Sequence, residues 1–338
     1  MIQLSVPREA LPESLREREQ VVRQYFAQLS ATITSTPSGW DIALDWTSDP
    51  AVYVDPHLAE GLSWWRHSIG PISVETIPTT HTQRDTYLLS IEDSWTVYSW
   101  SLWLQSLASR TLPINTTILH IDDHNDLMSP RLVVSESAWI DAITANPVSL
   151  FEPTTVAQAI TSGAIGIGSF VAPLLHTLPR VDVRHLWATG ARPSSASPMR
   201  LRARAINDGL LLPGAKRLAV TQDPVQPGPT DHCYRATNDL EVWLADIAAG
   251  PILLHVDMDY FNNRYNGDSA WPDNERRHDP ILSEVLSRID EVFAAMQSCG
   301  VLARVANTTV ALSPGFFPAE FWADAIERIT RYLGGKTL

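Results

Sequence analysis

A chain of 338 residues with 44% hydrophobic content can bury one large core or two smaller ones, and its apolar runs break well before the roughly 20 residues a membrane-spanning helix needs. A formal net charge of -13 argues against a nucleic-acid partner, whose phosphates call for a basic surface, and favours cations or cationic substrates. Cys233 and Cys299 are far apart and show no paired metal spacing, which excludes a zinc finger or a disulfide framework. The charged N-terminal stretch MIQLSVPREALPESLRERE lacks the apolar core of an export signal, so a cytoplasmic protein without a membrane partner is expected.

Residues 12–30 carry Leu15, Val22, Phe26 and Leu29 at helical spacing among charges, which predicts an amphipathic first helix within an N-terminal helical extension over residues 1–36. Short β-type runs follow at residues 41–46, 72–77, 87–91, 117–121, 181–188, 217–221, 252–256 and 302–305, with helical patterns in many of the gaps. The clearest helix has Asp279 as N-cap and Pro280 at its first position, runs through Leu282, Val285, Ile289 and Phe293, and stops at Gly300. Another spans residues 318–333 and turns Phe321, Trp322, Ile326 and Ile329 inward. Continuous apolar strands separated by helices predict a single α/β domain over residues 1–338, a three-layer α/β/α sandwich around a mostly parallel sheet. Residues 192–204, with Arg192, Arg200, Arg202 and Arg204, and residues 223–230 are rich in Pro, Ser and Arg and are expected as surface loops.

Chemistry concentrates at two strand ends. In ILHIDDHNDL an apolar strand runs into Asp122, His124 and Asp126, alternate residues that share a face if the extended geometry persists. In ILLHVDMDYF a second strand delivers Asp257 and Asp259 in the same way. Carboxylates gathered there repel one another and are costly to desolvate, so they call for a cation. Oxygen ligands with an imidazole suit Mn2+ or a similar hard divalent ion. Five such ligands can hold two ions, about 3.5–4 Å apart, that share and activate one water for hydrolysis. A lone Asp after a strand is more often a helix cap or turn residue, and recurrence on two strands favours the metal. His120 and His255, two residues before their aspartates, are read as side chains that orient a ligand or fill the core.

The pair DDHND at residues 122–126 and DMD at residues 257–259 resembles the signature of the arginase and deacetylase superfamily. IEDSW at 91–95, GIGSFVAPLL at 166–175, HVDMDYFNNRYN at 255–266 and LSPGFFP at 312–318 are similar to its peptide arginase branch, over about residues 85–335. The resemblance implies an arginase-like fold and hydrolysis of arginine residues in a ribosomally made precursor peptide to ornithine and urea. It implies two Mn2+ ions held by Asp122, His124, Asp126, Asp257 and Asp259, with Asp122 and Asp257 bridging.

An arginase supplies one more histidine from an Asp-His-Ser loop, and here Glu92-Asp93-Ser94 has serine in that place. Either Asp93, Glu92 or another residue fills the position, or one metal binds weakly, or the enzyme works with one ion. Asp126, Asp93 and Glu92 are the candidate catalytic acids, and Glu92, Asp93 and Glu320 are candidates to grip the guanidinium. Trp95, from an aromatic stretch that also holds Tyr98 and Trp103, is a candidate to line the substrate cleft, with Asn262 and Asn263 as candidate partners of a peptide backbone. Two further readings stay open: a single-metal amidohydrolase or deacetylase using Asp122, His124 and Asp257, and a catalytically silent peptide-binding relative.

Overall fold

The computed structural model describes residues 2–26, 29–107, 111–135, 138–188, 197–212 and 214–334. The chain opens with β1 (Ile2–Pro7), α1 (Leu15–Tyr25), β2 (Leu29–Thr36) and β3 (Gly39–Trp46), and the three strands form an antiparallel sheet in the order β1-β3-β2. The expected helical extension over residues 1–36 is therefore one helix between two strands. The helix stops at Tyr25 because Leu29, Ala31 and Ile33 alternate with exposed neighbours in the β-branched run LSATITST, a strand pattern.

The remainder comprises α2 (Leu58–Ser68), β4 (His81–Gln83), β5 (Leu88–Ser90), α3 (Trp95–Ser106), β6 (Thr116–Ile121), β7 (Leu132–Val134), β8 (Trp139–Asp141) and β9 (Pro147–Val148). It continues through α4 (Pro153–Thr161), α5 (Val171–Thr177), β10 (Val181–Leu186), β11 (Met199–Asn207), β12 (Lys216–Asp223), β13 (His232–Thr237) and α6 (Leu240–Leu244). The last elements are β14 (Ile252–Asp257), α7 (Leu282–Ser298), β15 (Val305–Ala311) and α8 (Trp322–Leu333). β4 to β15 build one 12-stranded sheet in the order β4-β5-β15-β14-β6-β10-β13-β11-β12-β7-β8-β9.

This sheet is mixed, which corrects the expectation of a mostly parallel one. From β5 to β13 along that order the neighbours run parallel. Beyond β13 every pairing is antiparallel. For β11 and β12 the reason is connection length: residues 208–215 between them are too few for a crossover helix, so those strands fold back as a hairpin.

The central strands β6 and β14 are buried along their whole length, as their continuous apolar runs require. Ile118, Leu253 and Val183 pack with Trp100, Ile160 and Leu174 from α3, α4 and α5. Their sequence neighbours Leu119 and Leu254 face the other way and pack with Leu62, Phe293 and Ile326 from α2, α7 and α8. None of the described helices is long and apolar enough to cross a membrane.

Several local expectations are corrected. Residues 72–77 are not a strand; a 3-10 helix covers Val74–Thr79, opened by a reciprocal Ser73–Thr76 cap and containing Pro78. Residues 302–304 form a 3-10 turn, and the strand starts only at Val305. The arginine-rich loop expected over 192–204 is in part strand β11, where Arg200 and Arg202 both bond to Asp223 of β12; Arg192 lies outside the described residues. Helix α7 begins at Leu282 with Ile281 at its N-cap, because Asp279 is occupied by Arg264 and Asn262.

Candidate metal centre

β6 and β14 are parallel neighbours in register, with His120 opposite His255 and Ile121 opposite Val256. Their carboxyl ends therefore emerge side by side, presenting Asp122 and Asp257. The chain does not stay extended beyond them, contrary to the simple alternation of the motif. Asp122 Oδ1 accepts from the backbone N–H of His124 at 2.6 Å, turning the loop. Asp126 then takes a left-handed conformation, φ 51°, which Asp tolerates better than most residues. After β14 the same device recurs, Asp257 Oδ1 accepting from Asp259 N–H at 3.0 Å within a 3-10 turn.

The two loops are tied to each other. Asp259 Oδ2 lies 2.7 Å from His124 Nδ1, and its Oδ1 accepts from Asp123 N–H at 3.0 Å. Ser313, also in left-handed backbone at φ 47°, donates its hydroxyl to Asp257 Oδ2 at 2.6 Å. Asp93, ahead of α3, accepts from Gly168 N–H at 3.0 Å through Oδ2. Asp93 Oδ1, Asp122 Oδ2 and Asp126 Oδ2 are buried without a hydrogen-bond partner, which is costly unless a cation meets them.

The electrostatics point the same way. Burial, then Asp126, Asp259 and Asp257, pushes the Asp122 carboxyl well above its ordinary range. Burial and Asp259 do the same to Asp257, and burial with Asp126 and Asp257 to Asp93. Burial disfavours a charged His124, but Asp259, Asp126 and Asp123 outweigh it and push the ring up to about 10. Burial likewise works against a charged Asp259, and His124 overcomes it to hold that carboxyl low. Among the described residues, two groups bring one possible ligand atom per residue to within 4.8 Å of one another: His120, Asp122, Asp126 and His255, and Asp122, His124 and Asp259. They share Asp122. This buried His/Asp cluster has the donor chemistry to hold a metal ion.

Asp122, His124, Asp126 and Asp259 of this cluster line a cleft of about 630 Å³, with Glu92, Tyr53, His185, Trp187, Tyr234, Ser313 and Phe316. Of the acids named from the sequence, Glu92 and Asp93 line it with the five candidate ligands, Asp126 among them. Glu320 does not, being paired with Arg264 at 2.5 Å. Trp95 is buried away from the lining, stacked on His81 at 3.6 Å with its indole N–H bonded to Pro78 O. Asn262 spends its amide on Asp279 and Pro280, and Asn263 on Asp123 and Asn266, so both brace loops around the cleft. His120 and His255 are fully buried beneath the carboxylates.

Sequence reading missed His185, Tyr53 and Ser313. Burial and the neighbouring Glu92 push the Tyr53 hydroxyl up, so it stays a proton donor facing the cleft. The only sequence signal for His185 was a histidine near the end of an apolar strand, VDVRHLW. No protein-family model matches this chain, and a comparison with curated proteins gives no match.

Proposed function

We propose that the chain is a manganese-dependent, arginase-like hydrolase that converts arginine residues of a precursor peptide to ornithine with release of urea. The observation that carries this reading is the convergence of Asp93, Asp122, Asp126, Asp257, Asp259 and His124 on one cleft, three of the carboxylates keeping a buried oxygen unbonded. An oxygen-rich set with imidazole suits Mn2+ better than a thiolate-seeking ion. With Glu92 and Asp123, 7 carboxylates line the cleft, so two divalent ions leave a negative remainder that favours a cationic group such as guanidinium. Asp93 stands in for the histidine expected at Ser94.

Two bound ions would supply Lewis acidity that lowers the pKa of water toward neutrality. Asp126 takes a proton from the attacking water and passes it to the departing nitrogen, while Glu92 holds the guanidinium. The water oxygen bonds to the guanidinium carbon and the bond from that carbon to the side-chain nitrogen breaks. Both water protons finish on that nitrogen, leaving an ornithine ammonium and neutral urea.

A peptide rather than a free amino acid is supported by the cleft mouth, where Val52, Met128 and Ile167 are exposed apolar side chains. Helices packed on both sheet faces support a three-layer, arginase-like sandwich, and the free thiols of Cys233 and Cys299 support a cytoplasmic setting. A single-metal amidohydrolase is the second reading; in place of the expected Asp122, His124 and Asp257, its support is the compact group of Asp122, His124 and Asp259, which suffices for one ion.

Incubation with Mn2+ and an arginine-containing peptide tests the proposal. Urea and ornithine residues are expected in equal amounts, with two metal equivalents bound. Absence of urea with manganese bound, or undiminished turnover in Asp122→Ala or Asp257→Ala, overturns it; one equivalent of zinc supports the second reading.

A further inference from the structure

Three histidines that this chemistry does not use lie on one rung of the sheet, directly beneath the carboxylates. His185 of β10 pairs with His120 of β6, which pairs with His255 of β14. All three are buried. The His120 ring centroid is 4.8 Å from that of His185 and 5.0 Å from that of His255, and Phe170 packs against His120 and His255.

Their hydrogen bonds determine where each proton sits, because a backbone carbonyl can only accept. His120 Nε2 lies 3.0 Å from the carbonyl oxygen of His124, and His185 Nε2 lies 2.9 Å from the carbonyl oxygen of Asp122. Both rings therefore carry their proton on Nε2. The Tyr234 hydroxyl, 2.6 Å from His185 Nδ1, donates to that nitrogen and locks the tautomer. His255 Nδ1 faces His120 Nδ1 at 3.5 Å and must supply the proton there, so His255 carries its own on Nδ1.

The nearness of His120 to Asp122 Oδ2 and Asp126 Oδ2, 3.6 Å in each case, gives it the look of a ligand. Its Nε2–H already points at the His124 carbonyl, so that nitrogen offers no lone pair to an ion. What the rung does hold is backbone: two rigid imidazoles, fixed in the sheet, grip the first and third residues of the loop that presents Asp122 and His124.

We infer that His120 and His185 are positioning residues that clamp residues 122–124 and so set the spacing of the metal ligands, with Tyr234 fixing the tautomer of His185. The inference rests on the reading of the cluster as a metal centre, and not on the identity of the substrate. Partners that orient metal ligands in this way typically contribute 10–100-fold, roughly, to metal affinity.

Two measurements on the full chain decide it. In the metal-free protein, 15N NMR of labelled histidines is expected to show Nε2–H for His120 and His185 and Nδ1–H for His255. Mn2+ titration is then expected to show affinity lowered about tenfold in Tyr234→Phe and about 10–100-fold in His185→Leu, with His185→Gln, whose amide keeps a donor, restoring most of the loss. Thermal melts of the metal-free variants separate this from misfolding, and the near-isosteric Tyr234→Phe keeps the test available if His185→Leu does not fold. An Nδ1–H tautomer at His185, or wild-type affinity in folded Tyr234→Phe and His185→Leu, overturns the clamp. If the wild-type chain binds no divalent ion, the metal reading fails, and so does the clamp's purpose, whatever the tautomers.

Discussion

His124, from the loop after β6, and Asp259, from the turn after β14, meet at 2.7 Å between Nδ1 and Oδ2. The same carboxylate also takes the N–H of Asp123, so one side chain joins the two halves of the site. Asp259→Ala removes both bonds. The expected loss in the metal-free protein is about 1 kcal/mol in denaturant unfolding, toward the low end for bonds to charged groups, because the His124 side chain is 39% exposed and water replaces part of the interaction. A variant as stable as wild type would show that the two loops are held by other contacts.

Gly168 lies between the ligand loop and Asp93. It sits at φ +68°, donates its N–H to Asp93 Oδ2, and an added Cβ would lie 3.2 Å from Met128 Sδ and 3.6 Å from Asp126 Oδ1. Gly168→Ala combines backbone strain of about 1 kcal/mol, whose relief turns the N–H away from Asp93 Oδ2, with crowding of the flexible Met128 side chain, while Asp126 Oδ1 stays at ordinary contact distance. Reduced stability and a weaker response to Mn2+ are expected together. A normal metal response in a destabilised Gly168→Ala would separate Asp93 from the metal.

The exposed mouth residues Met128 and Ile167 flank this glycine and line the cleft. If they receive the substrate's neighbouring residues, the double change Met128→Ser and Ile167→Ser raises KM for a peptide by about fivefold, the equivalent of roughly 1 kcal/mol of apolar contact, and leaves kcat alone. A small guanidine substrate is expected to be indifferent. Equal effects on both substrates would mean the mouth does not contact the peptide.

The parts of this architecture visible in the sequence are those set by local pattern. Apolar runs ending at Ile121 and Val256 mark the central strands, and the aspartates following them mark the site. How those aspartates converge was not visible, since it depends on Asp122 and Asp257 each capping a turn and on Asp126 adopting positive φ. Nor was the rung of histidines, because the pairing of His185 with His120 joins strands about 65 residues apart, a register that no local pattern encodes. β11 was hidden by composition: its arginines read as a solvated loop until Asp223 of the hairpin partner is placed beside them. In the aromatic stretch at the start of α3, spacing alone could not tell that Trp95 turns toward His81 and Pro78 instead of the cleft.

The N-terminal unit is docked through a titratable contact. Tyr25 of α1 donates its hydroxyl to Asp208 Oδ2 at 2.6 Å, and Arg217 approaches the same oxygen at 3.3 Å. Burial opposes charge on Asp208, but the Tyr25 bond, the backbone N–H groups of Leu210 and Leu212 and the Arg217 charge overcome it and hold the carboxyl below its ordinary value. A carboxyl depressed on folding stabilises the protein above its unfolded pKa of about 3.9, and that contribution is lost as pH falls through the lower folded value. Wild type is therefore expected to exceed Asp208→Asn in stability by about 1–2 kcal/mol at neutral pH, with the gap closing below pH about 4. A gap that persists unchanged at low pH would assign the difference to packing.

Asp122 separates the requirements of folding from those of function. In the metal-free protein its Oδ2 is buried and unbonded, and Asp126, Asp259 and Asp257 crowd the same space. Asp122→Asn removes a carboxyl whose ionisation burial and its neighbours oppose, while retaining an oxygen that can accept from His124 N–H. The variant is expected to unfold at equal or higher denaturant concentration than wild type without metal. Wild type with Mn2+ at a hundredfold excess over its dissociation constant gains about 2.7 kcal/mol by mass action, and Asp122→Asn is expected to gain far less. The order of stability thus reverses when manganese is added: Asn at least matches Asp without it, and Asp wins with it. Parallel gains in the two proteins would remove Asp122 from the metal site, and with it the residue common to both candidate ligand groups.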